Sequence, residues 1–254
     1  MTGPAGAPTA TPAPPRPPEV IAHRGDPVTE VENTLASVRR AVADGASTVE
    51  IDVRVTADGA VVLLHDATTE RIWGDPRPIT DLTLAEVSAL RTEAGHRIPT
   101  LAESLRAAAP ARLLVDLPDA ATARAAVAAV RATPGVPAPA WCGETEALLA
   151  VRALDADHPV APAAEIWLTW KQDGAPPRGL VDALAPRTWN PEHARVTAAS
   201  VRAAADLGME TTCWTVDDPA RAAELADLGV AGIISNRSAA IRAHLEAGHD
   251  GPDR

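Results

Sequence analysis

The sequence contains no phenylalanine and no tyrosine, and Lys171 is its single lysine. Branched aliphatics and six tryptophans must therefore fill the interior. Cationic side chains are outnumbered, with a formal net charge of -11 and a pI near 5.1. That balance excludes the broad basic footprint on which nucleic-acid binding depends, so an anionic ligand would need a local cation. Cysteine is scarce too: Cys142 and Cys213 stand far apart and match no zinc-ligand spacing. They read as buried reduced thiols on strands, and a disulfide framework is excluded for a domain of this size.

Long apolar runs are also missing. Residues 1–18, rich in Pro and Ala, have neither the positively charged start nor the apolar stretch of a secretory signal. They read as a disordered tail. No later segment approaches the roughly 20 apolar residues needed to span a bilayer, so the expected location is the cytoplasm, without stable membrane insertion. The expected folded domain is 19–246, with 247–254 as a flexible end.

From residue 19 onward, short β-branched runs alternate with Ala-rich helical stretches, the pattern of repeated βα units around a parallel sheet. Strands are expected at 20–22, 48–55, 61–64, 112–117, 138–142, 166–170, 181–184, 210–216 and 232–234. The third pairs with the second through a tight turn at Asp58-Gly59. Setting that hairpin aside leaves eight strands. Helices fit at 33–44, 83–89, 100–109, 120–132, 144–154, 197–207 and 219–228. Thr83 with Glu86, and Thr100 with Glu103, have capping-box spacing. The expected fold is a (β/α)8 TIM barrel with a small β-hairpin excursion after strand two. Between 171 and 190, Pro176, Pro177 and Pro186 leave little room for a regular helix.

Barrel enzymes collect their chemistry at the carboxyl ends of the strands. Here those ends carry His23-Arg24-Gly25, Glu50 and Asp52, His65-Asp66, and Asp116. Glu50 and Asp52 are two apart in TVEIDV, so both carboxylates share one face while Val49, Ile51 and Val53 take the other. Two like charges converging inside a barrel need a cation or a shared proton, and oxygen donors suit a hard divalent ion, Mg2+ or Ca2+. The alternative is that one of them faces solvent on an irregular strand. His23 and His65 end separate strands and titrate near neutrality, as general acid and base require. Taken singly, either could instead make a structural hydrogen bond.

The ordered blocks IAHRG, ENTLASVRRAVADGASTVEIDVRVTADGAVVLLHD, DLTLAEV, IPTLAESL, WTVDD and LGVAGIISNRS resemble the glycerophosphodiester phosphodiesterase family. Most of 20–117 matches, whereas about 135–190 matches only loosely. The resemblance implies a metal-dependent hydrolase of small-molecule phosphodiesters. In it, His23 and His65 are the acid/base pair, Glu50 and Asp52 are metal ligands, and Arg24 is the phosphate clamp. It further implies a hydrogen bond from Asn33 to the metal site or phosphate, set against helix N-capping as that residue's local alternative. Trp214 is similar to the family's tryptophan that would wall the pocket.

Two departures stand out. The family usually carries Glu-x-Lys on strand three, where this chain reads Asp116-Leu117-Pro118. Asp116 can still ligate a metal, as in the related sphingomyelinase D-like enzymes, but Pro118 removes a cation from the phosphate site. Asn236 stands where the family more often has Asp, and is read as neutral for the chemistry. The residues leave open which histidine is acid and which base, whether the attacking group is water or a neighbouring substrate hydroxyl, and the oligomeric state. Alternative readings are a specialised lipid or secondary-metabolite phosphodiesterase, a barrel that binds a phosphorylated ligand without turnover, and a metal-free acid/base phosphodiesterase.

Overall fold

The computed structural model describes residues 17–157 and 163–249. Nearly all of the Pro/Ala tail and the terminal residues 250–254 lie outside the described residues. The chain opens with β1 (Glu19–His23), α1 (Leu35–Ala43) and β2 (Thr48–Val55). An excursion follows, comprising β3 (Val61–Leu63), β4 (Thr68–Thr69), α2 (Glu70–Trp73), β5 (Asp75–Pro78) and α3 (Leu84–Ala89). Regular alternation then resumes with α4 (Leu101–Ala108), β6 (Arg112–Leu117), α5 (Ala120–Arg131), β7 (Ala140–Gly143) and α6 (Thr145–Asp157). The rest is β8 (Glu165–Trp170), α7 (Arg178–Leu184), β9 (Thr188–Pro191), α8 (Ala198–Asp206), β10 (Glu210–Cys213), α9 (Pro219–Asp227), β11 (Gly232–Ser235) and α10 (Ser238–His249).

Eight parallel strands run round the ring in the order β1-β11-β10-β9-β8-β7-β6-β2, and pairing of β1 with β2 closes it. β3 lies outside the ring, antiparallel to the upper half of β2, with Val53 opposite Leu63. Gly59 at φ 84 makes the connecting turn, a backbone conformation that Gly adopts without strain. The capping boxes at Thr83/Glu86 and Thr100/Glu103 are both formed. Inside the ring Ile21, Leu114, Ala140, Cys142, Trp167 and Ile234 pack together. The excursion has its own cluster, built on Val62, Leu64, Trp73, Ile79, Leu82, Val87 and Ile98. At the amino end of the barrel, Glu165 accepts from Arg112 Nη1 at 2.9 Å, Trp167 Nε1 at 2.7 Å and Arg187 Nη1 at 3.2 Å. Both cysteines are free and buried, on β7 and β10. No helix among the described residues is long and apolar enough to cross a membrane.

The sequence reading misassigns a ring strand in one region. Residues 181–184, expected as a strand, belong to α7, and the ring strand is β9 at Thr188–Pro191. Pro177 is the N-cap of α7, where no backbone N–H is required, and Ala185 at φ 42 ends the helix before Pro186. The prolines therefore flank a helix where they were read as excluding one. α2 and α10 were also not anticipated, and α10 extends to His249.

Candidate active site

Strand pairing determines which side chains meet. In the register His23 lies beside Glu50, and Asp52 beside Asp116, so three neighbouring strands β1, β2 and β6 deliver four ionisable groups to one rim. A cavity of about 430 Å³ opens there, lined by His23, Arg24, Glu50, Asp52, His65 and Asp116 among others. Trp214 is also in its wall, with Nε1 donating to the Asn190 carbonyl at 3.1 Å. Of the site residues expected from the sequence, His23, Arg24, Glu50, Asp52, His65, Asp116 and Trp214 line this cavity, and Asn33 does not. Asn33 is buried beneath it and touches Asp52 twice: Nδ2 donates to Oδ2 at 2.8 Å, and Oδ1 accepts the Asp52 N–H at 3.2 Å. Helix N-capping is not its role, because Thr34 caps α1.

The turn after β1 is tightly constrained. Arg24 and Asn33 both adopt positive φ, 58° and 55°, and the Asn33 N–H donates to the Arg24 carbonyl at 3.0 Å. Such conformations persist only where the surroundings fix them. Gly25, at φ 87, has no room for a side chain, since an added Cβ would lie 2.5 Å from the Ser37 carbonyl carbon. Gly25→Ala is therefore expected to cost about 2–4 kcal/mol in urea unfolding. A loss below about 0.5 kcal/mol would show that the turn adapts freely.

Arg24 is the cation at the centre of the acidic wall. Its N–H donates to Glu50 Oε2 at 3.1 Å, Nη1 donates to Glu32 Oε1 at 2.9 Å, and Nε lies 3.1 Å from Asp52 Oδ2. The Nε–H is buried against Asp52 without an aligned hydrogen bond. Burial disfavours the guanidinium, but Asp52, Glu50 and Glu32 outweigh it and keep Arg24 charged.

Glu50 has the opposite environment. Burial, reinforced by the charges of Asp52 and Asp116, raises its pKa well above the usual carboxylate range. Burial and Asp52 likewise raise Asp116, to about 6. Burial, with Asp116 close by, also raises the thiol of Cys142, whose Sγ is 3.8 Å from Asp116 Oδ2. For His23, burial and then Arg24 lower the pKa. His23 Nε2 lies 3.7 Å from Glu50 Oε2.

The two histidines are held differently. Asn236 Nδ2 donates to Asp217 Oδ2 at 2.8 Å, so its Oδ1 is the acceptor for His23 Nδ1 at 2.7 Å. Asp217 is held in turn by the Ser235 hydroxyl and the Asn236 N–H. This fixes the His23 tautomer with the lone pair on Nε2. Asn236, expected to be neutral for the chemistry, is thus the residue that orients His23. His65 donates from Nδ1 to a carboxylate, Asp66 Oδ1, at 2.7 Å, leaving Nε2 free.

Sequence reasoning missed Asp217, Glu32, Arg71 and Lys171. Asp217 stood inside the quoted WTVDD block. Lys171 gave another signal, as the only lysine, one residue past the end of β8. It lines the cavity and donates to Glu144 Oε1 at 2.5 Å, so an ammonium is present although Pro118 removes the expected one. β8 lies four places from β1 in either direction round the ring, which puts Lys171 on the wall opposite Arg24.

Fold and site together define a hydrolase-like barrel with an acidic, cation-seeking cavity flanked by two imidazoles. A sequence profile of the Glycerophosphoryl diester phosphodiesterase family matches residues 23–135 and 141–240, and the chain belongs to that family. A glycerophosphodiester phosphodiesterase of Caldanaerobacter subterraneus is 43% identical over 91 residues, 33% of this chain and 37% of that protein. Glycerophosphodiester phosphodiesterase 1 of Bos taurus is 42% identical over 94 residues, 34% of this chain and 28% of that protein. The matched segment thus spans about a third of the length of these relatives. Among solved structures, a glycerophosphodiester phosphodiesterase from Parabacteroides distasonis aligns with TM-score 0.78 and 25% identity, covering 92% of this chain and 99% of that one. A phosphodiesterase of Oleispira antarctica, solved with its product sn-glycerol-3-phosphate, has the same fold at TM-score 0.81 and 24% identity, covering 90% and 97%.

Proposed function

We propose that the domain at 19–246 hydrolyses glycerophosphodiesters, giving glycerol 3-phosphate or a cyclic phosphate together with an alcohol. The observation that carries this reading is that His23, His65, Arg24 and three carboxylates from β2 and β6 line one cavity. Glycerol 3-phosphate is also the product held by the Oleispira antarctica enzyme.

A metal-ion cofactor is part of the reading. Among the described residues no three donor side chains already converge to hold an ion. The donor chemistry nevertheless fits one, because Glu50 and Asp116 are driven toward protonation by burial and by the charge of Asp52. A divalent cation would remove that penalty. Glu50, Asp52 and Asp116 would hold it, and a hard ion such as Mg2+ or Ca2+ supplies Lewis-acid charge to a non-bridging phosphate oxygen.

The different acceptors at Nδ1, an amide oxygen for His23 and a carboxylate for His65, support different roles for the two histidines. His23, with its Nε2 lone pair fixed by Asn236, accepts the proton of the attacking hydroxyl, whether from water or from the substrate's neighbouring glycerol oxygen. His65, whose Nδ1 proton is held by Asp66, donates from Nε2 to the departing alcohol oxygen. Arg24, which lines the cavity, offers its guanidinium to the phosphate and shares the developing charge. Lys171 approaches from the far wall. Lys171→Ala should raise KM about 10-fold with kcat within about 3-fold, the cost of one charge-assisted contact. Unchanged KM would remove Lys171 from substrate binding.

The test is 31P NMR of glycerophosphoethanolamine incubated with the protein and Mg2+ or Ca2+. Appearance of glycerol 3-phosphate or its cyclic form supports the reading. Tight binding of the diester without turnover would favour the non-catalytic barrel instead.

A further inference from the structure

His65 is the member of the acid/base pair that does not stand on a ring strand. It follows β3 within the excursion, whose buried side chains pack mainly on one another. Its backbone is anchored independently. Arg54 Nε and Nη2 donate to the His65 carbonyl at 3.2 and 2.7 Å, and the Leu64 N–H donates to the Asp52 carbonyl at 3.1 Å. None of these bonds fixes the imidazole, and its side chain is 46% exposed.

What reaches the ring is a chain of charges. Asp66 accepts the His65 Nδ1 proton on Oδ1 at 2.7 Å and accepts Arg71 Nε on Oδ2 at 2.5 Å. The other two nitrogens of Arg71 turn toward the barrel, Nη2 to Glu32 Oε1 at 2.7 Å and Nη1 to Glu32 Oε2 at 3.1 Å. Glu32 is shared with Arg24, which lies against Asp52. A continuous series therefore runs Asp52, Arg24, Glu32, Arg71, Asp66, His65, joining the carboxylate wall to the second imidazole. Asp66 is lowered first by the Arg71 hydrogen bond and then by His65, consistent with a carboxylate that stays ionised between them.

Exposed pairs of this kind contribute little to stability. Their directionality is another matter, because one planar guanidinium bound on two edges fixes both partners in orientation. We infer that Arg71 is the positioning residue for His65, setting the imidazole where it can protonate the departing alcohol. The inference rests on the reading of His65 as that proton donor. Lysine cannot perform the same function, since a single ammonium does not span Asp66 and Glu32 with fixed planarity.

The test compares two esters of glycerol 3-phosphate, one with ethanolamine and one with p-nitrophenol, whose leaving group departs without protonation. Arg71→Met should lower kcat on the ethanolamine ester by about 100-fold with KM within about 3-fold, and kcat on the nitrophenyl ester by less than about 5-fold. Arg71→Lys should show the same selectivity with a smaller loss, and provides the test if the Met variant does not fold. In a His65→Ala background, Arg71→Met should add nothing further. Equal losses on both esters, full activity, or additive losses with His65→Ala would each overturn the inference. Wild-type protein inactive on both esters would overturn the phosphodiesterase reading itself, and this inference with it.

Discussion

His23→Ala should lower kcat on a glycerophosphodiester by at least about 10³-fold while KM changes little. On the proposed mechanism the substitution removes the proton acceptor and leaves Arg24 and Lys171, which line the cavity, in place. It also leaves Asn236 Oδ1 facing the cavity without the Nδ1 proton it accepts at 2.7 Å. Asn236→Ala should reproduce part of the loss, because His23 then loses the bond that selects its tautomer. Thermal melting within a few degrees of wild type separates lost chemistry from lost fold. Activity of His23→Ala within about 10-fold of wild type would take this imidazole out of the mechanism.

The second large effect is on stability as pH changes. In chelated protein the folded pKa values of Glu50 and Asp116 are raised, chiefly by burial and then by neighbouring carboxylates. Between the unfolded and folded pKa values the folded state binds more protons than the unfolded one, so stability falls as pH rises through that window. For Asp116 the window runs from 3.8 to about 6, and for Glu50 it extends well above 4.5. Asp116 is partly open to the cavity, which makes a loss on the order of 3 kcal/mol an upper bound. His23, lowered from 6.5 by burial, acts in the opposite sense over part of this range, so chelated protein should melt only a few degrees lower at pH 7 than at pH 5. Glu50→Gln should flatten the slope, raise the melting temperature at pH 7, and abolish both hydrolysis and stabilisation by the added ion. A chelated wild type that melts higher at pH 7 than at pH 5 would refute the electrostatic account of the cavity.

Much of the fold was legible because the period-two alternation of TVEIDV, the capping boxes and the Asp58-Gly59 turn are local signals. The ring count of eight came out right with one wrong member. Residues 181–184 were counted as a strand, while the short TWNP segment of β9, carrying Asn and Pro, lacks the β-branched run that marks its neighbours. Strand-end residues of the site were legible for the same local reason, since residue order along β1, β2 and β6 fixes which side chains face inward. Asp217, Arg71, Glu32 and Lys171 were not. Arg71 touches Glu32 across 39 positions, and Asn236 touches His23 across 213, so only the closed ring brings them together. The loss of the lysine expected at Pro118 was legible, but the presence of an ammonium on the opposite wall was not.

The central claim is that the carboxylates of β2 and β6 would hold a divalent cation that the proposed hydrolysis requires. Its most direct test is the initial rate of glycerophosphoethanolamine hydrolysis in protein stripped with excess chelator and then titrated with Mg2+ or Ca2+. The account predicts loss of at least about 99% of activity on stripping and saturable recovery with one class of site in the wild type, with no recovery in Glu50→Gln. Full activity in the chelated protein would contradict it.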